Sequence, residues 1–369
     1  MLLRIQIKNP AIIDRIQQVF KLSVSLLVLL LFITACHSVP PAISDNPENN
    51  IELGLTIYFI DVGQADAALI ICDGAIMLID GGNPTDSDLI YTFLKNHGIT
   101  HLDYIVATHA HSDHVGGLAG ALNYATAETA LCPVTEYDNR AFNTFVTYLG
   151  KQGVSISVPK HGDTFRLGGA DVIIVGPIKS SDNPNDTSIV IKITYSETSF
   201  LFAGDAERPE EQDILEAGYD LSATVLKTGH HGSNTSTTYP FLREIMPQYA
   251  IITCGKDNQY GYPHEKVLSR FRDADVIVYR TDMQGTITCK SDGTAVSFTV
   301  ERNADATTNP TQQTEPGTDY EEFYIGNTSS KKFHRPTCPG LPSEQNRVIL
   351  ITRDEAINGG YVPCGTCLP

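Results

Sequence analysis

Apolar residues recur along this chain in short runs rich in valine and isoleucine, broken by glycine, asparagine, aspartate and proline. That pattern predicts buried strands at residues 55–60, 67–71, 76–79, 104–107, 172–175, 189–195, 200–202, 223–226, 250–253 and 276–279. Two alternating segments, 285–289 and 295–302, flank Ser291-Asp292-Gly293 and predict a hairpin. Helical periodicity takes over at 89–96, where Leu89, Ile90, Phe93 and Leu94 share a face before Gly98, and again around 209–217, 239–245 and 265–272. Strands and helices in this order fit two sheets sandwiched between helices, an αββα arrangement of the α/β class.

The ends of the chain break the pattern. Residues 23–35 are nearly all apolar, follow Lys21 and are short for a membrane span, which predicts the hydrophobic core of an export signal. Ile33-Thr34-Ala35-Cys36 is similar to the bacterial lipobox, in which the chain is cut before a cysteine that then carries lipid; an uncleaved signal anchor is the alternative. The expected organisation is a lipoprotein signal segment at 1–36, a proline-bearing tether at 37–50, the main domain at 51–302, a flexible linker at 303–319 and a small separate unit at 320–369. The expected location is extracytoplasmic, with lipid at Cys36 anchoring the protein to a bacterial membrane. With 41% hydrophobic and 19% charged residues, the composition is ordinary for a globular chain. Arg4, Lys8, Arg15 and Lys21 against Asp14 make the first 36 residues +3, so a net charge of -17 becomes -20 without them. Such a surface disfavours nonspecific attraction to phosphate backbones, although metal ions can recruit an anionic ester locally.

The chemistry concentrates after the run at 104–107. His109, His111, Asp113 and His114 fall within six residues and are followed by Gly116-Gly117. Imidazoles at i and i+2 can converge on one ion where the chain turns at a strand end. The Asp-His pair can reach a second ion about 3.5–4 Å away, the separation used by two-metal hydrolases. A single histidine there would be packed or solvated; the whole constellation has no ready structural explanation. Asp205 follows a strand and Gly204, where it can bridge two ions. His230 and His231 sit between Gly229 and Gly232, and His264 lies in a loop before a helix. Asp61 and Asp80 also follow strands, as turn residues or as supports for ligand histidines. His97, His101 and His161 have no partner motif. Near the C-terminus, His334-x-x-x-Cys338 and Cys364-x-x-Cys367 offer four ligands of tetrahedral zinc type around a predicted helix at 353–358. A disulfide is the alternative, though it leaves an odd thiol. Cys72, Cys132, Cys254 and Cys289 read as small buried hydrophobes.

Six segments standing in order, 59–66, 78–82, 109–114, 202–205, 226–233 and 260–264, carry a resemblance over residues 54–302 to the metallo-β-lactamase fold superfamily. Within it, the chain resembles the branch containing the extracellular C-terminal domain of the ComEC competence channel and a teichoic-acid phosphorylcholine esterase. The resemblance implies an αββα hydrolase in which two divalent ions, zinc or manganese, polarise the scissile bond and activate a bridging water. It implies metal ligands among His109, His111, Asp113, His114, Asp205, His230 and His264, with one of His230 and His264 completing the second ion's shell. The implied catalytic groups are Asp113, His231 near the substrate and Asp80 behind the ligand histidines. Many family members have a further histidine upstream of the bridging aspartate; here Asn183-Pro184-Asn185-Asp186-Thr187-Ser188 stands instead, similar to the Asn-Asp-x-Ser of the ComEC branch. That leaves His109, His111 and Asp205 as an open three-ligand site, or one filled weakly by Asn185, with a preference for manganese. The C-terminal unit resembles the zinc-binding domain of Ada-type DNA repair proteins, with His334 in place of the methyl-accepting cysteine. A structural zinc on His334, Cys338, Cys364 and Cys367 is implied, and methyl transfer is not. The expected substrate is a phosphodiester in nucleic acid or wall polymer. A lactam, amide or thioester hydrolase is the alternative within the class, and a non-catalytic surface-binding lipoprotein is the alternative outside it.

Overall fold

The computed structural model describes residues 54–309, 324–334, 338–350, 356 and 359–364. The expected signal segment with Cys36, the tether, the helix at 353–358 apart from Ala356, and Cys367 lie outside these residues. Among the described residues, no helix is long and apolar enough to cross a membrane.

In chain order the main domain builds β1 (Leu55–Phe59), β2 (Ala68–Cys72), β3 (Ala75–Ile79), β4 (His101–Val106), β5 (Thr126–Leu131) and β6 (Ile156–Ser157). A second series follows: β7 (Thr164–Leu167), β8 (Ala170–Gly176), β9 (Val190–Tyr195), β10 (Thr198–Phe202), β11 (Val225–Lys227), β12 (Tyr249–Ile252) and β13 (Ile277–Arg280). The hairpin β14 (Ile287–Ser291) and β15 (Val296–Val300) then returns to the first sheet. The orders are β15-β14-β1-β2-β3-β4-β5-β6 and β13-β12-β11-β10-β9-β8-β7. Antiparallel pairing dominates around β1 and β9, whereas β3-β4-β5-β6 and β10-β11-β12-β13 run parallel. Those parallel steps need crossovers, and helices supply most of them.

Three separate apolar cores show that the layers number four. Leu55, Ile57 and Phe59 of β1 face Ile191, Ile193, Phe200 and Phe202 in the core between the sheets, with Phe59 stacked on Phe202 at 5.9 Å. On the outer side of the first sheet, Leu69 and Leu78 pack with Ile90 and Leu94 of α1 (Ser87–Asn96), then with the short α2 (Ser112–Val115), α3 (Leu118–Tyr124) and α4 (Arg140–Lys151). On the outer side of the second, Leu201 and Leu226 pack with α5 (Arg208–Ala217), α6 (Tyr239–Ile245) and α7 (Glu265–Asp273). The one-turn α8 (Thr281–Gln284) leads into β14. This is the expected αββα sandwich.

The structure adds β5, β6, β7 and α2–α4 to what periodicity gives. Thr126–Leu131 reads Thr-Ala-Glu-Thr-Ala-Leu, whose small residues make a weak strand signal, yet it is buried against β4. The start of the expected linker is also different. Thr308 Oγ1 donates to the Val278 carbonyl at 2.6 Å and Asn309 accepts from Arg272 at 2.7 Å, so residues 303–309 are tied to the domain despite their polar composition.

The C-terminal unit has a four-stranded sheet in the order β18 (Arg347–Leu350), β16 (Tyr324–Asn327), β17 (Lys332–His334), β19 (Val362–Pro363). Tyr324, Phe333, Leu350, Ala356 and Tyr361 form its core. So few buried side chains supply little stability without a further link.

Candidate metal centre

Every chemistry-bearing segment leaves the end of a strand. Asp80 follows β3 in the left-handed backbone region (φ 57°), which turns its carboxylate back into the domain. His109 and His111 follow β4, and His111 caps α2, whose first turn carries Asp113 and His114. Gly116 and Gly117 are required by close approach. A Cβ on Gly117 would lie 1.9 Å from the Gly81 carbonyl oxygen, and the Gly81 N–H donates to the His114 carbonyl at 2.7 Å. From the second sheet, Gly204 (φ 53°) releases Asp205 from the end of β10. His230 and His231, at φ 47° and 55°, hold a two-residue left-handed turn after β11.

These loops converge on one carboxylate oxygen. Asp205 Oδ2 lies 3.3 Å from His114 Nε2, 3.7 Å from both His230 Nε2 and His231 Nε2, and 3.8 Å from His109 Nε2. Asp113 Oδ2 lies 3.4 Å from His231 Nε2 and 3.9 Å from His114 Nε2. His109 Nε2 and His111 Nδ1 are 3.0 Å apart. Asp113, His114, Asp205 and His231 each place a ligand atom in one compact group.

The partners behind the rings fix their tautomers. His231 Nδ1 donates to the Thr253 carbonyl at 3.0 Å and lies 3.1 Å from Asp66 Oδ1. His114 Nδ1 lies 2.9 Å from Asp80 Oδ2, and His230 Nδ1 lies 3.1 Å from Glu207 Oε1. A carboxylate thus backs each of these three rings and turns the Nε2 atoms toward Asp205, the arrangement that orients metal-ligating imidazoles. Asp80 is further held by the Thr108 N–H and hydroxyl, both at 2.8 Å. Asp80 thus stands behind His114; Asp66 and Glu207 were not foreseen. Asp66 closes the first of the six segments, and its role depends on Lys227, whose buried Nζ lies 2.7 Å from it.

Whether the residues fit divalent ions is tested by the polar atoms left over. His114 Nε2, His231 Nε2 and Asp205 Oδ1 are buried and have no hydrogen-bond partner, which is costly for groups aimed at one another. A cation in this group would give the unpartnered atoms a ligand role, and a donor set of imidazole nitrogen and carboxylate oxygen suits zinc or manganese. The field has the same sign. Burial opposes the charged form of His231, yet Asp205 and Asp66 pull it up to about 10, and Asp205 and Asp80 likewise raise His114 against its burial. Asp113 is held down to about 2 against its burial by His114 and His231. Burial and the neighbouring His114 push His109 well below the usual imidazole range, leaving it neutral as a ligand must be.

The three later histidines are divided differently from the expectation. His231, expected near substrate, stands in the ligand group with Asp113, His114 and Asp205. His264, the alternative to His230 for the second ion's shell, uses its Nδ1 to accept the Asn234 N–H at 3.0 Å and packs against Tyr262, while His230 is the one that stands beside Asp205. The physical reason is the left-handed turn at 230–231, which aims both rings at Asp205. His230 reaches Asp205 with Nε2 at 3.7 Å, and Glu207, on its Nδ1 side, also holds Asn185. Asn185 Nδ2 donates to Glu207 Oε1 at 3.2 Å while its buried Oδ1 has no hydrogen-bond partner. Ser188 Oγ accepts the Asp205 N–H at 3.1 Å, so the Asn-Asp-x-Ser segment braces the loop that presents Asp205.

Asp61 lies apart, paired with Arg302 at 2.8 Å. His97 stacks on Phe93, and His161 hydrogen-bonds Tyr219. Cys72, Cys132, Cys254 and Cys289 are buried, and burial pushes the Cys132 thiol up to about 12. In the C-terminal unit, His334, Cys338 and Cys364 bring ligand atoms together, with His334 Nδ1 at 3.4 Å from Cys338 Sγ.

The description "Metallo-beta-lactamase superfamily" matches residues 60–256, more than half of the chain. The chain belongs to that superfamily. It is accordingly a metal-dependent hydrolase by family. "Metal binding domain of Ada" matches residues 311–369. The chain is 28% identical over 263 residues to ComE operon protein 3 of Bacillus subtilis (strain 168), covering 66% of this chain and 34% of that one. It is 27% identical over 244 residues to Competence protein ComA of Neisseria gonorrhoeae, covering 65% and 32%. This chain therefore spans about a third of the length of these relatives. The solved metallo-beta-lactamase fold protein YhfI of Bacillus subtilis overlays 64% of this chain and 100% of its own, with a TM-score of 0.43 and 12% identity.

Proposed function

We propose that this chain is an exported, dinuclear metal-dependent phosphodiesterase. The observation that carries the reading is the convergence of four histidine Nε2 atoms on Asp205 Oδ2, with Asp113 beside them. On this reading Asp205 would be a ligand available to both ions. Asp113, His114 and His231 would hold one, and His109 and His111 the other, with His230 as a further candidate ligand beside Asp205. Two bound divalent ions supply Lewis acidity and lower the pKa of a water toward neutrality. The chain's own part is to keep Asp113 ionised on the partly exposed side of the cluster, to hold His109 neutral, and to lock His114, His230 and His231 through Asp80, Glu207 and Asp66. A phosphodiester is favoured because a monoanionic ester is drawn to a dication pair even beneath an acidic surface. Export rests on residues 21–36, with lipid at Cys36 as the membrane anchor, and the C-terminal unit is read as holding one structural zinc.

The test measures metal content together with turnover of a simple phosphodiester by the purified protein. Asp205→Asn should lose bound metal and lower turnover by orders of magnitude with the fold retained. Full turnover in Asp205→Asn would remove the mechanism. Activity on a lactam or thioester with none on any phosphodiester would remove the substrate class. Small diesters should be cleaved better than duplex DNA, most clearly at low salt where repulsion by the acidic surface is least screened.

A further inference from the structure

The loop before α7 carries an aromatic ladder that the metal chemistry does not use. Tyr260 and Tyr262 are stacked with ring centroids 5.4 Å apart and planes 17° apart. Tyr262 in turn lies over His231 at 6.4 Å and 25°. Three nearly parallel rings therefore run outward from the candidate metal centre. Tyr262 is also edge-on to His230 at 5.6 Å, and its hydroxyl is held by Ser233, so the inner rungs are fixed. The outer rung is 53% exposed.

The loop that presents Tyr260 is built to stay in place. Asn258 clamps it with its whole amide: Nδ2 donates to the carbonyls of Gly255 at 2.9 Å and Tyr262 at 2.6 Å, and Oδ1 accepts the N–H groups of Tyr260 at 3.1 Å and Tyr262 at 3.0 Å. Gly261, at φ 73°, makes the turn between the two tyrosines. A large ring kept half in water on a braced loop, two ring-to-ring steps from His231, has no packing role on its outer face.

We propose that the outer face of Tyr260 is a stacking platform for an unpaired nucleobase, so that this site selects base-bearing phosphodiesters whose bases are free of a duplex. The inference rests on the phosphodiesterase reading above for its substrate and sharpens it. The shape of the ladder decides between flat and cationic ligands. A quaternary ammonium is recognised by rings set around it as a cage, whereas parallel rings offer one flat end that another flat ring extends. Stacking also supplies affinity that an acidic protein cannot gain from phosphate contacts, and every base has a π-face, so the selection is for single strands rather than for sequence.

The test compares the full-length protein with Tyr260→Ala and Tyr260→Phe by calorimetric binding of a short single-stranded oligonucleotide, the same strand made abasic, and phosphocholine. Tyr260→Ala should weaken the base-bearing strand about tenfold or more and leave the abasic strand unchanged, and Tyr260→Phe, which keeps the ring, should bind within about threefold of the parent. Equal loss on both strands, no loss on either, no binding by the parent, or binding of phosphocholine that Tyr260→Ala removes would each overturn the platform. Binding is read without turnover, so the two proposals fail separately. Base-dependent binding with no phosphodiester cleavage removes the phosphodiesterase reading alone, and cleavage that is indifferent to Tyr260 removes the platform alone.

Discussion

Asp66 does two jobs at once. Its Oδ1 faces His231 and accepts the Thr253 hydroxyl, and its Oδ2 neutralises the buried ammonium of Lys227. Asp66→Asn keeps the shape but strands that cation, and breaking a buried pair on one side costs roughly 3–5 kcal/mol. Urea unfolding should show a loss of that order, partly recovered by adding Lys227→Met; an Asn variant as stable as the parent would mean that Lys227 finds another partner. Glu210 makes a separate case on α5. It is buried and accepts the Ile178 N–H at 2.9 Å, and burial raises its carboxyl from 4.5 to about 8. The unfolded chain releases this proton near 4.5 and the folded chain holds it to about 8. Stability from the bound proton is therefore complete below pH 4.5 and lost as the pH rises to about 8. Glu210→Gln should match the parent at pH 4 and exceed it at pH 9 by an amount on the order of 2–4 kcal/mol; identical pH profiles in urea would show that the carboxyl ionises freely. The ligand-type residues themselves were legible in sequence because four of them crowd into 109–114. Asp66 and Glu207 were not, since a lone carboxylate has no pattern until a distant ring is folded against it.

At the level of elements, the strand runs were legible because valine and isoleucine mark them. The helix at Arg140–Lys151 was missed although Ala141, Phe142, Phe145 and Leu149 carry the helical period and Asn139 caps it by accepting the Ala141 N–H at 2.7 Å. The division of labour among His230, His231 and His264 was illegible for a different reason: it depends on a left-handed turn at two non-glycine residues, which sequence does not announce. The pair Gly116-Gly117 stands out in the sequence, but its element-scale requirement is set by the folded chain. Because a Cβ on Gly117 would overlap the Gly81 carbonyl, Gly117→Ala must part the start of α3 from the loop after β3, and so move Asp80 and His114 relative to each other. A loss of about 3 kcal/mol or more in unfolding free energy is expected, together with weaker metal retention in dialysis. Unchanged stability would mean that the two loops slide apart freely.

Across the whole molecule, the ligand groups come from both halves of the sandwich. His109, His111, Asp113 and His114 hang from the first sheet, and Asp205, His230 and His231 from the second. The apolar seam between the sheets holds the halves together along their length, but at this edge the contact is made of facing imidazoles and carboxylates, among them buried polar atoms of His114, Asp205 and His231 that have no hydrogen-bond partner. Metal at this edge would act as a rivet whose consequence is cooperativity. A group bound only when both halves are in place stabilises them jointly and raises the cost of opening either one alone. In differential scanning calorimetry the metal-loaded protein should melt with equal calorimetric and van't Hoff enthalpies for this domain, and the chelated protein should melt earlier and over a broader range, with the two enthalpies unequal. A chelated protein that keeps a single sharp transition would mean that the apolar seam alone makes the two halves one thermodynamic body.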